Sequence, residues 1–260
     1  MPYSDIYKQI GFQKEMKRLE KQAKLGADRE IKMLRNMGVN DDSLILEVGS
    51  GPGFYSKILL ENFSSSEIIA LDNDENLLKF ANDMLQKDYN ERVTFVNDDI
   101  MNSSMPDDYF DIIIARFVFQ HLNNPIDALK EIYRILKPGG KVIIIDIDSE
   151  LWGLTYPNND LIKNLNLSLA KYQSSKSGNR DIGRTLLTLL RLLKFQNINI
   201  ESVINHSDIL GKENFRYNFD KALENDQKIG GLLKEYNKFF DLSYSSIMII
   251  KLFFYGEKPI

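Results

Sequence analysis

The order of apolar runs predicts an α/β fold: a mostly parallel sheet of seven strands with helices on both faces, plus helical cap segments. Three observations predict it. Short runs rich in Ile, Val and Leu recur between helix-length amphipathic stretches, the rhythm of a parallel sheet. One of them, Leu44-Ile45-Leu46-Glu47-Val48, breaks directly into Gly49-Ser50-Gly51-Pro52-Gly53, a strand-to-helix turn that brings backbone close to a ligand. The strands that follow end in polar residues, which puts chemistry beyond the carboxyl ends of a parallel sheet.

The first strand, Leu44 to Val48, is short, apolar and suited to burial on both faces. A helix from Tyr55 to Phe63 follows the glycine turn, with its first amides facing the ligand. The glycines run G-x-G-x-G, whereas a dinucleotide fingerprint is G-x-G-x-x-G, and Phe54 holds the place of its third glycine. Glu47 sets a carboxylate just before the first glycine, repulsive to a pyrophosphate and attractive to an ammonium group. The turn therefore favours a zwitterionic nucleoside.

The second strand, Glu67 to Leu71, ends in Asp72, which can accept from both hydroxyls of a ribose. Asp72 can equally cap the helix Glu75 to Leu85, although Asp74 is the better cap. Arg92 to Val96 is the third strand and runs into Asn97-Asp98-Asp99-Ile100, either an adenine-facing loop or a solvated acidic one. Phe110 to Ala115 is the fourth, and Lys141 to Asp146 follows the turn Leu136-Lys137-Pro138-Gly139-Gly140 as the fifth. A helix from Ile182 to Leu193 leads back to the sheet, Ile198 to Ile204 is the sixth strand, and Ser246 to Tyr255 is the last.

The flanks read either as cap segments or, at the N-terminus, as a surface helix with a solvated charged face. Residues 3 to 37 are helix-prone and polar, with Glu15, Arg18 and Gln22 on one helical stripe. Trp152, Gly153, Tyr156 and Pro157 follow the fifth strand as an aromatic wall or as a core hinge. Leu161 to Tyr172 is an amphipathic helix, and Lys212 to Phe240 is expected as two helices broken near Gly230-Gly231. The expected organisation is 1–38 as an N-terminal helical cap, 39–150 as the ligand-binding core, 151–181 as a helical insertion, and 182–260 completing the core with an insertion at about 209–241.

Composition excludes several classes. The chain has 260 residues, 43% of them hydrophobic, enough for a full α/β core. Without cysteine there is no disulfide, thiolate metal site or cysteine nucleophile, and no metal is expected. A net charge of −4 argues against nucleic acid as the partner. No apolar run is long enough for a membrane span and no signal h-region stands at the start, so a cytoplasmic enzyme is expected, with a homodimer allowed.

Taken together, Glu47 to Gly53, Asp72-Asn73, Asp98-Asp99-Ile100, the run Ala115-Arg116-Phe117-Val118-Phe119-Gln120-His121-Leu122 and the Pro-Gly-Gly turn resemble the class I S-adenosylmethionine-dependent methyltransferases, in their small-molecule (type 11, UbiE-like) branch. The resemblance covers roughly residues 40 to 150. It implies a Rossmann-like sheet whose last strand inserts antiparallel, with S-adenosyl-L-methionine as cofactor and S-adenosyl-L-homocysteine as product. It further implies that Glu47, Gly49 and Gly51 line the methionine moiety, Asp72 holds the ribose, Asp98, Asp99 and Ile100 meet the adenine, and Ser50, Gly53 and Asn73 are further cofactor contacts. Arg116 and Phe117 approach the methionine end, and an N-terminal segment folding over the mouth brings Tyr3, Tyr7, Arg18 or Gln22 to cofactor or acceptor, with Trp152 and Tyr156 as further acceptor contacts.

Methyl transfer from a sulfonium is an in-line displacement that needs positioning more than a catalytic triad. A base is required only for an acceptor that must lose a proton, and His121, just past the fourth strand, is the candidate, with a packing role as the competing account. His206 lies further off. A small-molecule acceptor is the leading expectation; a protein or peptide acceptor, or a non-catalytic cofactor-binding module, are the alternatives.

Overall fold

The computed structural model describes residues 11–216 and 227–260, so Tyr3 and Tyr7 lie outside the described residues. Helices α1 (Phe12–Lys24) and α2 (Ala27–Asn36) come first, joined by a turn at Gly26, where φ is +74°. Then β1 (Leu44–Val48), α3 (Phe54–Asn62), β2 (Glu67–Asp72), α4 (Glu75–Tyr89) and β3 (Val93–Asn97) form one half of the sheet. β4 (Phe110–Arg116), α5 (Pro125–Ile135) and β5 (Leu136–Asp146) begin the other. The chain continues through β6 (Trp152–Tyr156), α6 (Asp160–Ser174), α7 (Gly183–Leu192), β7 (Gln196–His206), α8 (Gln227–Phe239) and β8 (Ser246–Glu257).

The sheet runs β3-β2-β1-β4-β5-β8, with β1 to β5 parallel and β8 antiparallel between β5 and β7. The strand order reverses between β1 and β4, which opens a crevice at their carboxyl ends. This is the Rossmann-like, mostly parallel sheet expected, with the last strand inserted as expected and one strand more. That strand is β6. Met248 pairs with Leu154 on one side and with His206 on the other, so β6 lies on the β5 side of β8 and prolongs the line of β5 past the edge where β1 to β4 stop.

Helices cover both faces, which is why the central strands read as unbroken apolar runs. On one face Leu34, Leu59, Leu60 and Phe63 pack on Ile45, Ile112, Ile114, Ile143, Ile145 and Phe253. On the other, Leu129, Ile132, Leu186 and Leu190 pack on Leu46, Val48, Ile113, Val142, Ile144 and Phe254. A separate cluster joins α6 and α8 to the start of β8, through Ile162, Leu165, Leu169, Leu233, Phe239, Ile247 and Ile249.

Three local expectations are corrected. The segment after the fifth strand begins as a strand rather than a helix, because the backbone of Trp152 to Tyr156 finds an open edge on β8. The Pro-Gly-Gly turn does not precede β5 but interrupts it: Leu136 already pairs with Phe110, and the register shifts before Ile112 meets Lys141. Helix α8 runs straight through Gly230-Gly231, held by Ile229, Leu233 and Tyr236 in the cap cluster, so tertiary packing outweighs the glycine penalty there. The rest of the helical pair expected over 212–226 lies largely outside the described residues; Lys212–Asn214 is a single 3₁₀ turn.

Candidate active site

The three loop glycines all have positive φ, +67° at Gly49, +53° at Gly51 and +75° at Gly53, yet they do different work. A Cβ on Gly49 would lie 2.5 Å from Cγ2 of Val118, and one on Gly53 would lie 2.8 Å from Cβ of Ala81 on α4. A Cβ on Gly51 would meet nothing within 4 Å. Gly49 and Gly53 thus allow close packing, and Gly51 faces open space. Gly53 also starts α3, its amide donating to the Ser50 carbonyl and its carbonyl accepting from Lys57, so its backbone serves the packing and capping of the helix. The Ser50 amide prolongs the β1–β2 ladder to the Leu71 carbonyl at 3.0 Å, while its buried hydroxyl has no partner.

Carboxylates converge on this loop. Asp72 Oδ2 accepts from the Gly51 amide at 2.7 Å and Oδ1 from the Asp74 amide at 2.9 Å. Burial raises its pKa against those two donors. Asp74 is the helix cap, accepting from the amides of Asn76 and Leu77, which leaves Asp72 to the loop. Glu47 is 2% exposed and accepts from the Ser56 hydroxyl at 2.5 Å. Burial pushes its pKa up to about 7, opposed by Ser56 and by the charge of Arg116.

At the tip of β3, Asp98 is clamped by its own loop. It accepts from the Asp99 amide and from the amide and hydroxyl of Ser104, each at 2.8 Å. Burial raises its pKa, but the donors of Ser104, Asp99 and Ser103 together outweigh this and hold it below the ordinary value. Asp99 caps a short 3₁₀ turn through the Met101 amide, and the Ile100 side chain is buried in the core with Val48 and Leu71. Asn73 is exposed beside Asp72, and Asn97 bonds back to the Asp72 carbonyl.

Arg116 is claimed by a protein partner. Its guanidinium closes on Glu30 of α2 at 2.8 and 3.1 Å, stacks 4.5 Å from the Tyr55 ring centroid and lies 4.7 Å from that of Phe117. A fully buried carboxylate claims it: burial alone would raise the Glu30 pKa, but Arg116 and Lys251 carry it below the ordinary value. Phe117 follows with φ +58°, a strained turn anchored by its amide on the Ile145 carbonyl at 2.7 Å. Arg18 pairs with buried Glu15 at 2.7 Å and donates to Gln22 at 3.2 Å, while α1 packs Met16 on Leu77 between Phe54 and Phe80. The N-terminal segment therefore lies across the first turns of α3 and α4, as a lid would.

Past β4, His121 is solvent-accessible but recessed. Burial, then the charges of Arg180 and Arg18, lower its pKa to about 4. Its Nδ1 is 3.4 Å from Nε2 of Gln173, which also donates to the Gln120 carbonyl at 2.7 Å. Sequence reasoning missed Asp146, fully buried at the end of β5, whose pKa burial raises to about 7 although the amides of Ile147 and Gln120 and the charge of Arg180 oppose this. An acid closing the run Ile143-Ile144-Ile145 and a lysine inside Ile249-Ile250-Lys251-Leu252-Phe253 were the available signals, since charges in buried strands require partners.

The aromatic residues after β5 are not brought to this edge. Trp152 is half-buried in the cap cluster, its carbonyl accepting from Asn166, and Tyr156 is 67% exposed at the far end of β6. His206 ends β7 and bonds the Asp208 amide. A cleft of about 570 Å³ between α6 and α8, lined by Leu167, Lys171 and Leu232, includes none of the glycine-loop residues.

Comparison with known proteins places this geometry. The family described as Methyltransferase domain matches residues 46–144. A demethylmenaquinone methyltransferase of Anoxybacillus flavithermus is 30% identical over 114 residues, 44% of this chain and 48% of that protein. A malonyl-[acyl-carrier protein] O-methyltransferase of Priestia megaterium is 30% identical over 117 residues, 45% and 41% of the two chains. The chain thus spans about half the length of the curated relatives it matches. In three dimensions it resembles Haemonchus contortus phosphoethanolamine N-methyltransferase 2 in complex with S-adenosyl-L-methionine, at TM-score 0.60 and 20% identity over 90% of this chain and 53% of that one. Residues 46–144, from β1 into β5 and with the glycine loop at their start, are therefore similar to a methyltransferase domain and lie in a Rossmann-like, mostly parallel sheet.

Proposed function

We propose that the chain transfers a methyl group from S-adenosyl-L-methionine to a small-molecule acceptor, releasing S-adenosyl-L-homocysteine. The observation that carries this reading is the open face of Gly51, flanked by the unpartnered Ser50 hydroxyl and by Asp72. A nucleoside with an amino-acid tail fits the donor set. Asp72 keeps lone pairs for ribose hydroxyls, Asp98 for an exocyclic amine, and Glu47 supplies the anion that an ammonium group requires. The match of residues 46–144 and the names of the relatives support the same reading.

When bound, the cofactor supplies a methyl group on a sulfonium whose departure needs no proton. What the chain must do is hold the nucleophile on the methyl axis and exclude water. Packing of α1 over α3 and α4 serves the second task. His121, neutral above a pKa of about 4, accepts a proton from an acceptor that must lose one. The cap built from α6, α8 and β6 favours a small acceptor over a peptide. The remaining features of the proposal are a core at 39–150 between an N-terminal cap and the later insertions, a cytoplasmic setting, and no nucleic-acid or membrane partner. No described helix is long and apolar enough to cross a membrane. Self-association as a homodimer is compatible with this reading.

Calorimetry with S-adenosyl-L-homocysteine tests the cofactor. Micromolar binding by the parent chain, lost in Gly51→Arg and in Asp72→Ala while both remain folded, is expected; unchanged affinity in both variants removes the reading. Mass spectrometry of a metabolite extract incubated with methyl-labelled cofactor then reports the acceptor.

A further inference from the structure

We infer that Arg180 is the recognition residue for an anionic acceptor, one that presents a carboxylate or another oxyanion beyond the ends of β4 and β5. This rests on the methyltransferase reading and adds to it the charge of the substrate.

The loop carrying Arg180 is tied to the strand ends on every side. The Asn179 amide donates to the Gln120 carbonyl at 2.8 Å and the Gly178 amide to the Gln173 carbonyl at 3.0 Å. The Arg180 carbonyl accepts from the Ser149 amide at 3.0 Å, the Gly183 amide donates to the Ile147 carbonyl at 3.1 Å, and the Ser149 hydroxyl donates to Asp181. A Cβ on Gly178 would lie 2.8 Å from the Gln120 carbonyl oxygen, so the loop also fits closely against β4's exit. This backbone is rigidly placed, yet the side chain it positions ends on nothing. Among the described residues the Arg180 guanidinium makes no ion pair or hydrogen bond, and its Nε is buried without a partner.

A buried guanidinium N–H without an acceptor is costly, and a planar fork of donors suits an oxyanion better than any neutral group. No neighbour fills the need. Asp146 feels the charge of Arg180 but forms no ion pair with it, and its oxygens are already engaged by the amides of Gln120 and Ile147. Arg18 reaches the same space from α1 with its charge offset by Glu15, and both arginines bear on His121. The surroundings of His121 beyond β4 are therefore electropositive, with the side-chain amide of Gln173 beside the ring. A negative oxygen entering there is attracted, and a cationic amine is repelled.

The test uses the full chain, with and without saturating S-adenosyl-L-homocysteine, titrated calorimetrically with benzoate, phenyl phosphate and neutral benzamide. The expected result is that benzoate or phenyl phosphate binds at least about tenfold more tightly than benzamide, and that Arg180→Gln abolishes this preference while S-adenosyl-L-homocysteine affinity is unchanged. Arg180→Lys, which keeps charge without the fork, is expected to retain part of it. Whichever anion binds better distinguishes a carboxylate from a phosphate acceptor. Equal binding of all three probes, or an anion preference that survives in Arg180→Gln, overturns the inference. An Arg180-dependent preference in a chain that does not bind S-adenosyl-L-homocysteine would uphold the anion site and refute the cofactor reading instead.

Discussion

Glu30 and Arg116 form a two-pronged ion pair, 2.8 and 3.1 Å, with Glu30 wholly shielded from solvent and Lys251 Nζ on the same carboxylate. With Lys251 the pair joins α2 to the end of β4 and to the middle of β8. Removing one partner leaves two buried cations facing an uncharged group. Glu30→Ala is expected to destabilise the fold by about 3–5 kcal/mol, read as a shift in the urea midpoint. A loss below about 1 kcal/mol would mean that water reaches the cluster.

Gly51 and Gly53 separate binding from folding. Both have positive φ, but only Gly53 is pressed against α4. Gly53→Ala is expected to cost about 1–3 kcal/mol of stability and to leave cofactor affinity in the folded fraction near normal. Gly51→Ala is expected to lower cofactor affinity more than stability. Thermal melts beside calorimetry decide between these patterns, and the reverse order would misplace the open face of the loop.

The raised pKa of Glu47 gives a pH signature. In the folded chain it titrates near 7, and in the unfolded chain near its ordinary 4.5. Between those values the folded state holds the extra proton, so this contribution to stability is present below pH 4.5 and declines as pH rises to about 7. Glu47→Gln lacks that decline. Its stability relative to the parent is expected to improve from pH 5 to pH 8 by up to about 3 kcal/mol, measured by denaturant titration at both values. A parallel pH dependence in the two proteins would mean that Glu47 is already ionised at pH 5.

His121 makes the opposite demand. Its pKa of about 4 in the folded chain lies below the ordinary 6.5, so stability from this group is full above 6.5 and falls as pH drops toward 4. As a base it is available across neutral pH. With a proton-losing acceptor, turnover is expected to stay level from pH 8 down to about 5, and His121→Ala is expected to lose turnover but keep cofactor binding. Full activity in that variant assigns His121 to packing.

Gly140 is a purely structural test. A Cβ there would lie 2.8 Å from the Lys137 carbonyl oxygen and 3.0 Å from that of Phe110, both main-chain atoms. Gly140→Ala is expected to destabilise by about 1–3 kcal/mol, with no direct effect on cofactor affinity. An unchanged melting temperature would show that the bulge in β5 is free to relax.

The strands β1 to β5 and the cradle residues Gly51 and Asp72 were legible because covered strands leave continuous apolar runs and because a tight turn at positive φ demands glycine. β6 was not, since Trp-Gly-Leu-Thr-Tyr has no alternation and pairs along one edge only. The partner of Arg116 was not legible, because proximity along the chain reveals where a side chain starts, not which buried charge claims it. Arg180 left no trace in a Ser-, Lys- and Gly-rich loop, where polarity normally means solvent.

The Lys251 ammonium touches Glu30 across a separation of 221 residues and also donates to the Leu25 carbonyl. A chain leaving the ribosome from its amino end must therefore make α1 and α2 first and seat them last. Until β8 has been synthesised and inserted, Glu30 and Arg116 lack their third partner, and the helical lid waits undocked on a sheet that is still incomplete. Docking of the lid in this architecture is thus tied to insertion of β8, the strand that carries Lys251.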